Sequence, residues 1–368
     1  MLNHFPKDNN AILEIDLKGL TSNYNTLNKK LSDGTECAIT IKANAYGIGD
    51  KSVLSKLIKS GCKTYFVAHL SEAVRLRSYS KKIKIFSYHG INKDNLKYFK
   101  NYNIIPVINN LEQLRLVNKF NLKNKIYKGV AIHFDTGMSR LGLDEEETDW
   151  LIKNIKKFNH IKLELIMSHL ACADKPKHPM NLRQLKKFTA ISNSFKNIKA
   201  SLANSAGIFL GKKYHFDMVR PGIAIYGGNP LLSKKVDLRN VVSLKVKIIQ
   251  IRTIKKNDTV GYGASYRAKK EMVIGTIPIG YADGFNRKYT NNLSVRLNNK
   301  PINIIGRISM DLITIDLTKF LNLAKSKKDT YVDVFNKTYD INQVSNNVGT
   351  IPYEILTSLG NRYKIKYL

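Results

Sequence analysis

Cysteine is scarce in this chain: Cys37, Cys62 and Cys172 are the only three among 368 residues. Three thiols cannot all pair within one chain, and these lack the close spacing of a structural zinc site. A reduced, intracellular protein without a bound metal is the simplest expectation. Long apolar runs are also missing. Nothing approaches the roughly 20 residues needed to span a bilayer, so no membrane partner is expected. The opening MLNHFPKDNNAILEIDL has no charged-then-apolar stretch ending in small residues, and a signal peptide is not expected either. Both absences point to the cytoplasm. Acidic residues are the third shortage. With 28 Asp and Glu against 61 Lys and Arg, the formal charge is +33. Such an excess admits a nucleic-acid partner. Against it, there is no zinc-finger spacing and no basic region followed by heptads, and the lysines are scattered through every segment among Asn and Ile. That distribution suits a solvated surface, and no nucleic acid is expected. The charge still allows weak, salt-dependent attraction of acidic partners.

The length suggests two domains, and a hydrophobic share of 43% allows a sizeable core. From about residue 36 to 226, short apolar runs alternate with amphipathic stretches. Strands are expected at 36–42, 64–68, 83–88, 104–108, 129–134, 163–169, 200–204 and 218–220, with helices between them. In 180–196, for example, Leu182, Leu185, Phe188, Ile191 and Phe195 recur at helical spacing. Eight rounds of strand and helix predict a (β/α)8 TIM-type barrel, an α/β fold. After Gly227-Gly228-Asn229-Pro230 the period becomes two: Leu244, Val246, Ile248; Leu293, Val295, Leu297; Ile313, Ile315, Leu317. Half-buried strands show that period. The expectation is a barrel over 1–235 followed by a mainly β C-terminal domain over 236–368, with the boundary somewhere in 227–242.

Functional residues of such a barrel sit where its strands end, at the C-terminal rim. Lys42, Asp135 with Arg140, His169, Asn204 with Ser205, and Arg220 stand at such positions. Singly, each has a plainer explanation, a lysine as a solvated charge or a histidine as a satisfied core residue. Their concentration on one rim argues for chemistry. Lys42 follows the apolar run Ala38-Ile39-Thr40-Ile41. An amine leaving a strand inside a barrel is partly desolvated, which lowers its pKa and makes it a Schiff-base nucleophile. Asn204-Ser205-Ala206-Gly207 and Arg220-Pro221-Gly222-Ile223 read as a phosphate cradle, because small residues let backbone N–H groups approach an anion. Ser205 is equally a plain helix N-cap, and the two roles are compatible. In the β domain Gly261-Tyr262-Gly263 holds a tyrosine between glycines. Most such tyrosines are turn residues packed on a sheet, so spacing alone leaves the role of Tyr262 open.

Taken together these segments resemble the alanine racemase family, over nearly the whole chain. KANAYG at 42–47 is similar to its cofactor-lysine motif. Asp135-Thr136-Gly137-Met138 with Arg140-Leu141-Gly142, Ser168-His169, Ala203-Asn204-Ser205-Ala206 and Val219-Arg220-Pro221-Gly222-Ile223 match its other barrel motifs in order. Gly261-Tyr262-Gly263, Gly280-Tyr281-Ala282-Asp283-Gly284, Gly306-Arg307-Ile308-Ser309-Met310-Asp311 and Ile351-Pro352-Tyr353-Glu354 match in the second domain.

The resemblance implies a racemase interconverting L- and D-alanine and supplying D-alanine for peptidoglycan. Its cofactor is pyridoxal 5'-phosphate, and two bases transfer protons on the external aldimine. Lys42 then holds the cofactor and serves as one base, and Tyr262 is the other. Tyr46, Asn204, Ser205, Gly222, Ile223 and Tyr353 match phosphate contacts. Arg220 matches the partner of the pyridine nitrogen, and His169 lies against the ring. Arg140 and Met310 match contacts to the substrate carboxylate and the cofactor hydroxyl. The family acts as a homodimer with shared active sites. Inverting a stereocentre requires acid–base groups on opposite faces of a planar intermediate, and an amine and a phenol meet that need.

Three positions depart from the family pattern. His133 stands where many members have a lysine, often carbamylated, that orients the arginine matching Arg140. Since imidazole does not carry a carbamate in that way, something else, such as an anion, is expected to hold Arg140. Ser201 replaces a histidine that supports the arginine matching Arg220, and Ile48 replaces the histidine of the KANAYGHG form. Basic-amino-acid decarboxylases and small pyridoxal-phosphate carriers use the same barrel, but the carriers lack a β domain.

Overall fold

The computed structural model describes residues 10–124, 128–323 and 329–368, and they form two units. The larger unit comprises Thr21–Ile225 with Asn229–Leu238. Its strands are Glu36–Cys37 continued by Ile39–Thr40, Thr64–Val67, Lys84–Ser87, Ile105–Ile108, Lys128–His133, Ile161–Met167, Ala200–Ser201 and Met218–Val219. Each overlaps one of the eight runs expected from the sequence. Neighbours pair in parallel from Ile39–Thr40 round to Ala200–Ser201. The ring closes where Met218–Val219 pairs with Glu36–Cys37 and where the Arg220 N–H donates to the Ala203 carbonyl at 2.9 Å.

Parallel neighbours require crossover connections. Helices Asp50–Lys59, Leu70–Tyr79, Leu96–Asn101, Leu111–Lys123, Glu145–Asn154 and Pro179–Ser194 provide six of them. Side-chain caps start three of these: Asn110 accepts from the Gln113 N–H, Asp144 from the Glu147 N–H, and His178 Nδ1 from the Met180 N–H. The seventh crossover is made of short 3-10 turns, Gly207–Leu210 and Lys212–Tyr214. In Pro179–Ser194 the buried face differs from the apolar stripe of the sequence. Leu182 is 46% exposed, while Asn181 and Gln184 are buried beside Leu185 and Phe188. The reason is hydrogen bonding. Gln184 donates to the His169 carbonyl at 2.9 Å and accepts the Ala171 N–H at 2.8 Å, so a polar residue is worth burying there.

Inside the ring, Ala38, Phe66, Phe86, Val107, Ala131, Leu165, Met167 and Met218 pack as one buried cluster. Phe66 and Phe86 stack with ring centroids 4.6 Å apart. The ring is therefore filled with side chains and leaves chemistry to its rim.

The second unit comprises Arg239–Leu368, Tyr226–Gly228 and the described residues up to Leu20. Nine strands form its sheet, in the order Gln250–Ile254, Met272–Ile277, Ile313–Asp316, Lys300–Ile305, Ser294–Leu297, Tyr331–Phe335, Val242–Lys247, Ala11–Ile15, Lys364–Tyr367. The period of two reappears as burial: Val242–Lys247 alternates buried and half-buried residues along its length, and so does Ile313–Asp316. Ala11–Ile15 belongs to this sheet, paired antiparallel with Val242–Lys247 and parallel with Lys364–Tyr367, although the sequence division assigned it to the barrel. Ile12 interrupts the alternation of Leu13 and Ile15, which hid the strand. No helix among the described residues is long and apolar enough to cross a membrane.

Because Phe86 is fully buried in the ring, Phe86→Ala is expected to lower the unfolding free energy by about 3–5 kcal/mol. The check is a shifted denaturant midpoint at unchanged slope. A loss under about 1 kcal/mol would show that the ring interior is not close-packed.

Candidate active site

Lys42 is half-buried and follows strand Ile39–Thr40. Ala43, Asn44, Ala45 and Tyr46 then all take left-handed backbone angles, φ 53 to 57. Left-handed backbone costs a non-glycine residue roughly 1–2 kcal/mol, so this turn is a strained one that its surroundings must hold. The Lys42 ammonium sits below the usual lysine range, mainly through burial and then through the Arg140 guanidinium, with the Glu72 carboxylate partly offsetting both. Tyr46, at the end of the turn, is buried with its hydroxyl against Gly222, where a Cβ would strike it. A side chain at 222 would have to displace that hydroxyl.

The ends of the seventh and eighth strands are tied together through Ser205. Its hydroxyl accepts the Gly222 N–H at 2.8 Å and the Ala224 N–H at 3.3 Å. Capping falls to its neighbour: Asn204 Oδ1 accepts the Gly207 N–H at 2.9 Å, at the start of turn Gly207–Leu210. Gly222 and Ile223 are buried behind this loop.

Arg220 is 2% exposed, and burial lowers its pKa. Its Nη2 donates to the Ser168 carbonyl at 2.5 Å, and its Nη1 donates to Ser201 Oγ. Ser201 in turn donates to the Met218 carbonyl at 2.6 Å, so a hydroxyl links the arginine to the backbone of the eighth strand. The Arg220 Nε–H is buried and has no acceptor. An unpaired buried donor costs about 1–3 kcal/mol, and a bound acceptor would recover it. Tyr88, which stands at the end of the third strand, has its hydroxyl 3.2 Å from Thr40 Oγ1. Burial raises its pKa and the Arg220 charge draws it down.

His133 is 8% exposed, its Nδ1 3.0 Å from Asn109 Oδ1. Both amide hydrogens of Asn109 are engaged, by the Tyr88 carbonyl at 2.9 Å and the Val107 carbonyl at 3.1 Å. Its oxygen must therefore accept, which puts the proton on His133 Nδ1 and leaves Nε2 a bare acceptor. Burial, Arg220 and Arg140 lower the His133 pKa to about 4, against Asp135. A neutral imidazole in this tautomer offers an anion no free N–H. His169 is likewise well below the usual histidine range, through burial and then Arg220 and Arg140. Arg140 is exposed on a loop shaped by Asp135, whose Oδ1 accepts the N–H groups of Gly137, Met138 and Ser139 at 2.8, 2.9 and 3.1 Å. Ile48 is fully buried.

Glu72, Tyr88 and Asn109 escaped the sequence reading. Tyr88 and Asn109 stand directly at or after the third and fourth strand ends, so the rim rule, applied to uncharged residues as well, would have found them. Glu72 lies within a helix and left no such signal.

The remaining predicted site residues belong to the β unit. Tyr262 is 71% exposed on a 3-10 turn between Gly261 (φ 80) and Gly263 (φ 69). Met310 and Tyr353 are 52% and 37% exposed.

A closed parallel ring with a desolvated amine after its first strand and a glycine–serine cradle after its last two defines a barrel made for an anionic small molecule. This chain belongs to the alanine racemase family: the models for the alanine racemase N-terminal and C-terminal domains match residues 15–230 and 241–367. The alanine racemase of Rickettsia bellii is 42% identical over 330 residues, 89% of this chain and 80% of that one. That of Rickettsia rickettsii is 39% identical over 358 residues, 97% of this chain and 98% of its own. Among solved structures, alanine racemase from Bartonella henselae with covalently bound pyridoxal phosphate is 36% identical with a TM-score of 0.91, over 98% of this chain and 99% of that one. Alanine racemase from Acinetobacter baumannii is 30% identical with a TM-score of 0.87, over 98% and 100%.

The depressed His133 pKa has a measurable consequence. In the unfolded chain this residue binds a proton as pH falls below about 6.5, while in the fold it does so only near 4. Between those values the unfolded state holds the extra proton, so stability falls as pH falls, by at most about 3 kcal/mol for this residue. Urea midpoints from pH 7 to pH 4 are expected to show this loss, and His133→Gln is expected to reduce it, leaving the part that the likewise depressed His169 contributes. Equal slopes for the two proteins would refute the assignment.

Proposed function

We propose that this chain is an alanine racemase, interconverting L- and D-alanine with pyridoxal 5'-phosphate and supplying D-alanine for peptidoglycan in the cytoplasm. The observation that carries this reading is the combination, on one rim, of a desolvated Lys42 amine and a buried Arg220 whose Nε–H lacks an acceptor. The family match gives that combination its substrate.

The cofactor fits the residues present. Lys42 would hold its aldehyde carbon, Arg220 Nε would donate to its ring nitrogen, and His169 would lie against the ring. Its phosphate would be held by Tyr46, Asn204, Ser205, Gly222 and Ile223, with Tyr353. The tight approach at Gly222 and the Ser205 link between loops support that cradle. When bound, the cofactor supplies an electron sink that lets an α-proton leave carbon. An arginine is always protonated and hands the ring nitrogen no proton, which keeps that sink weak and side reactions few.

Lys42 and Tyr262 are the two bases. The lowered Lys42 pKa keeps a share of neutral amine able to take or return a proton on one face. Tyr262 serves the other face from a second copy of the chain, and Met310 reaches in with it. Their strong exposure on the β unit supports a homodimer with shared sites, since large apolar groups left out of a core mark association surfaces. Arg140 pairs with the substrate carboxylate. His133, in its neutral acceptor form, supports Arg140 in place of an anion. No nucleic acid or membrane is proposed as a partner, because the lysines form no concentrated arm.

Purified protein with pyridoxal phosphate is expected to equilibrate L- and D-alanine, and borohydride is expected to fix the cofactor on Lys42. Lys42→Ala should abolish both. Tyr262→Phe should keep the label and lower kcat by about 10²–10⁴-fold. Label on another lysine, or carbon dioxide release in place of D-alanine, would overturn the reading.

A further inference from the structure

The strained turn after Lys42 is held by a side chain that lies outside the motifs quoted above. Four successive left-handed residues without glycine do not persist unless neighbouring groups fix them. Two side chains of helix Leu70–Tyr79 do so. Arg75 donates from Nε to Asp50 Oδ2 at 2.6 Å, and the Asp50 N–H donates to Asn44 Oδ1 at 2.9 Å, which pins the middle of the turn indirectly. Glu72 acts at its root. Its Oε1 accepts the Ala43 N–H at 2.6 Å, one residue from Lys42, and its Oε2 accepts the N–H groups of Ala68 and His69 at 2.9 and 3.0 Å. Residues 72 and 75 are three apart and so share a helix face.

We propose that Glu72 is the positioning residue for Lys42: one carboxylate bridges the ends of the first and second barrel strands and fixes the left-handed turn from which the amine projects. The role rests on Lys42 being the cofactor lysine. A carboxylate suits the task because it accepts at both oxygens, whereas an amide has one acceptor and one donor group. Glu72 would meet three N–H donors as glutamine with only one oxygen to offer. The same charge offsets part of the effect that burial and Arg140 have on the Lys42 ammonium. Helix Leu70–Tyr79 is thereby a strut for the reactive lysine.

The test compares Glu72→Gln and Glu72→Asp with the unaltered protein in three measurements. Amide exchange reports the turn: the Ala43 N–H is expected to exchange at least about tenfold faster in both variants. The rate at which Lys42 captures pyridoxal phosphate, followed against pH, reports the charge. Removing a negative group lowers an amine's pKa, so the profile moves to lower pH in Glu72→Gln and stays in place in Glu72→Asp. For alanine, kcat is expected to fall by about tenfold to a hundredfold with little change in KM, as for a misplaced reacting group. Unchanged Ala43 exchange with an unmoved capture profile would overturn the proposal. Should either variant fail to fold, the unaltered protein still decides: an Ala43 N–H exchanging as fast as an open loop would also overturn it. Absence of any borohydride label on Lys42 in the unaltered protein would instead strike the cofactor reading, leaving the exchange result to judge the turn.

Discussion

The barrel rim is governed by desolvated positive charge. Lys42, Arg140, Arg220, His133 and His169 act on one another electrostatically, and burial heads the causes of every resolved shift among them. Each responds as its chemistry allows. The histidines give up their protons, the lysine is pushed toward the neutral amine, and the arginine, unable to do either, gathers neutral oxygens from Ser201, Ser168 and Leu202. Positive charge of this kind attracts anionic groups, and the phosphate and carboxylates of the proposed cofactor and substrate are groups of that kind.

The backbone carries the other half of the design. It allows a close approach at Gly222, where the approaching atom is the Tyr46 hydroxyl. Because Tyr46 ends the left-handed turn that begins beside Lys42, the lysine and Gly222 belong to one connected arrangement. Glycine at 222, serine at 205 and the turn at 43–46 therefore stand or fall together. In the β unit the same economy appears differently. Tyr262 is held out by glycines on both sides, each at a positive φ that a residue with a side chain adopts only under strain.

The residues that support the rim arginine and histidine do so through short hydrogen-bonded links. Ser201 is small, yet its hydroxyl both accepts from Arg220 and donates to the Met218 carbonyl. His133 keeps an acceptor free only because Asn109 consumes its Nδ1 proton, and Asn109 does so only because two backbone carbonyls occupy its amide. That chain of constraints runs across the third, fourth and fifth strands and reaches the rim without any charged residue.

Much of this was legible in the order of residues. Strand period, helix period and the position of polar residues after apolar runs are local properties, and they located the eight strands, the alternating β strands and the rim positions at Lys42, Asn204, Ser205 and Arg220. What sequence left hidden depends on pairing across space. Ala11–Ile15 joins the β sheet because distant strands supply its hydrogen bonds. Gln184 and Asn181 replace Leu182 on a buried helix face because particular carbonyl and N–H groups wait for them. Glu72 meets Ala43 across 29 positions of chain. Periodicity and motif record what each residue prefers. Only the folded ring determines which unsatisfied donor meets which acceptor, since that depends on distances between segments that no local pattern encodes.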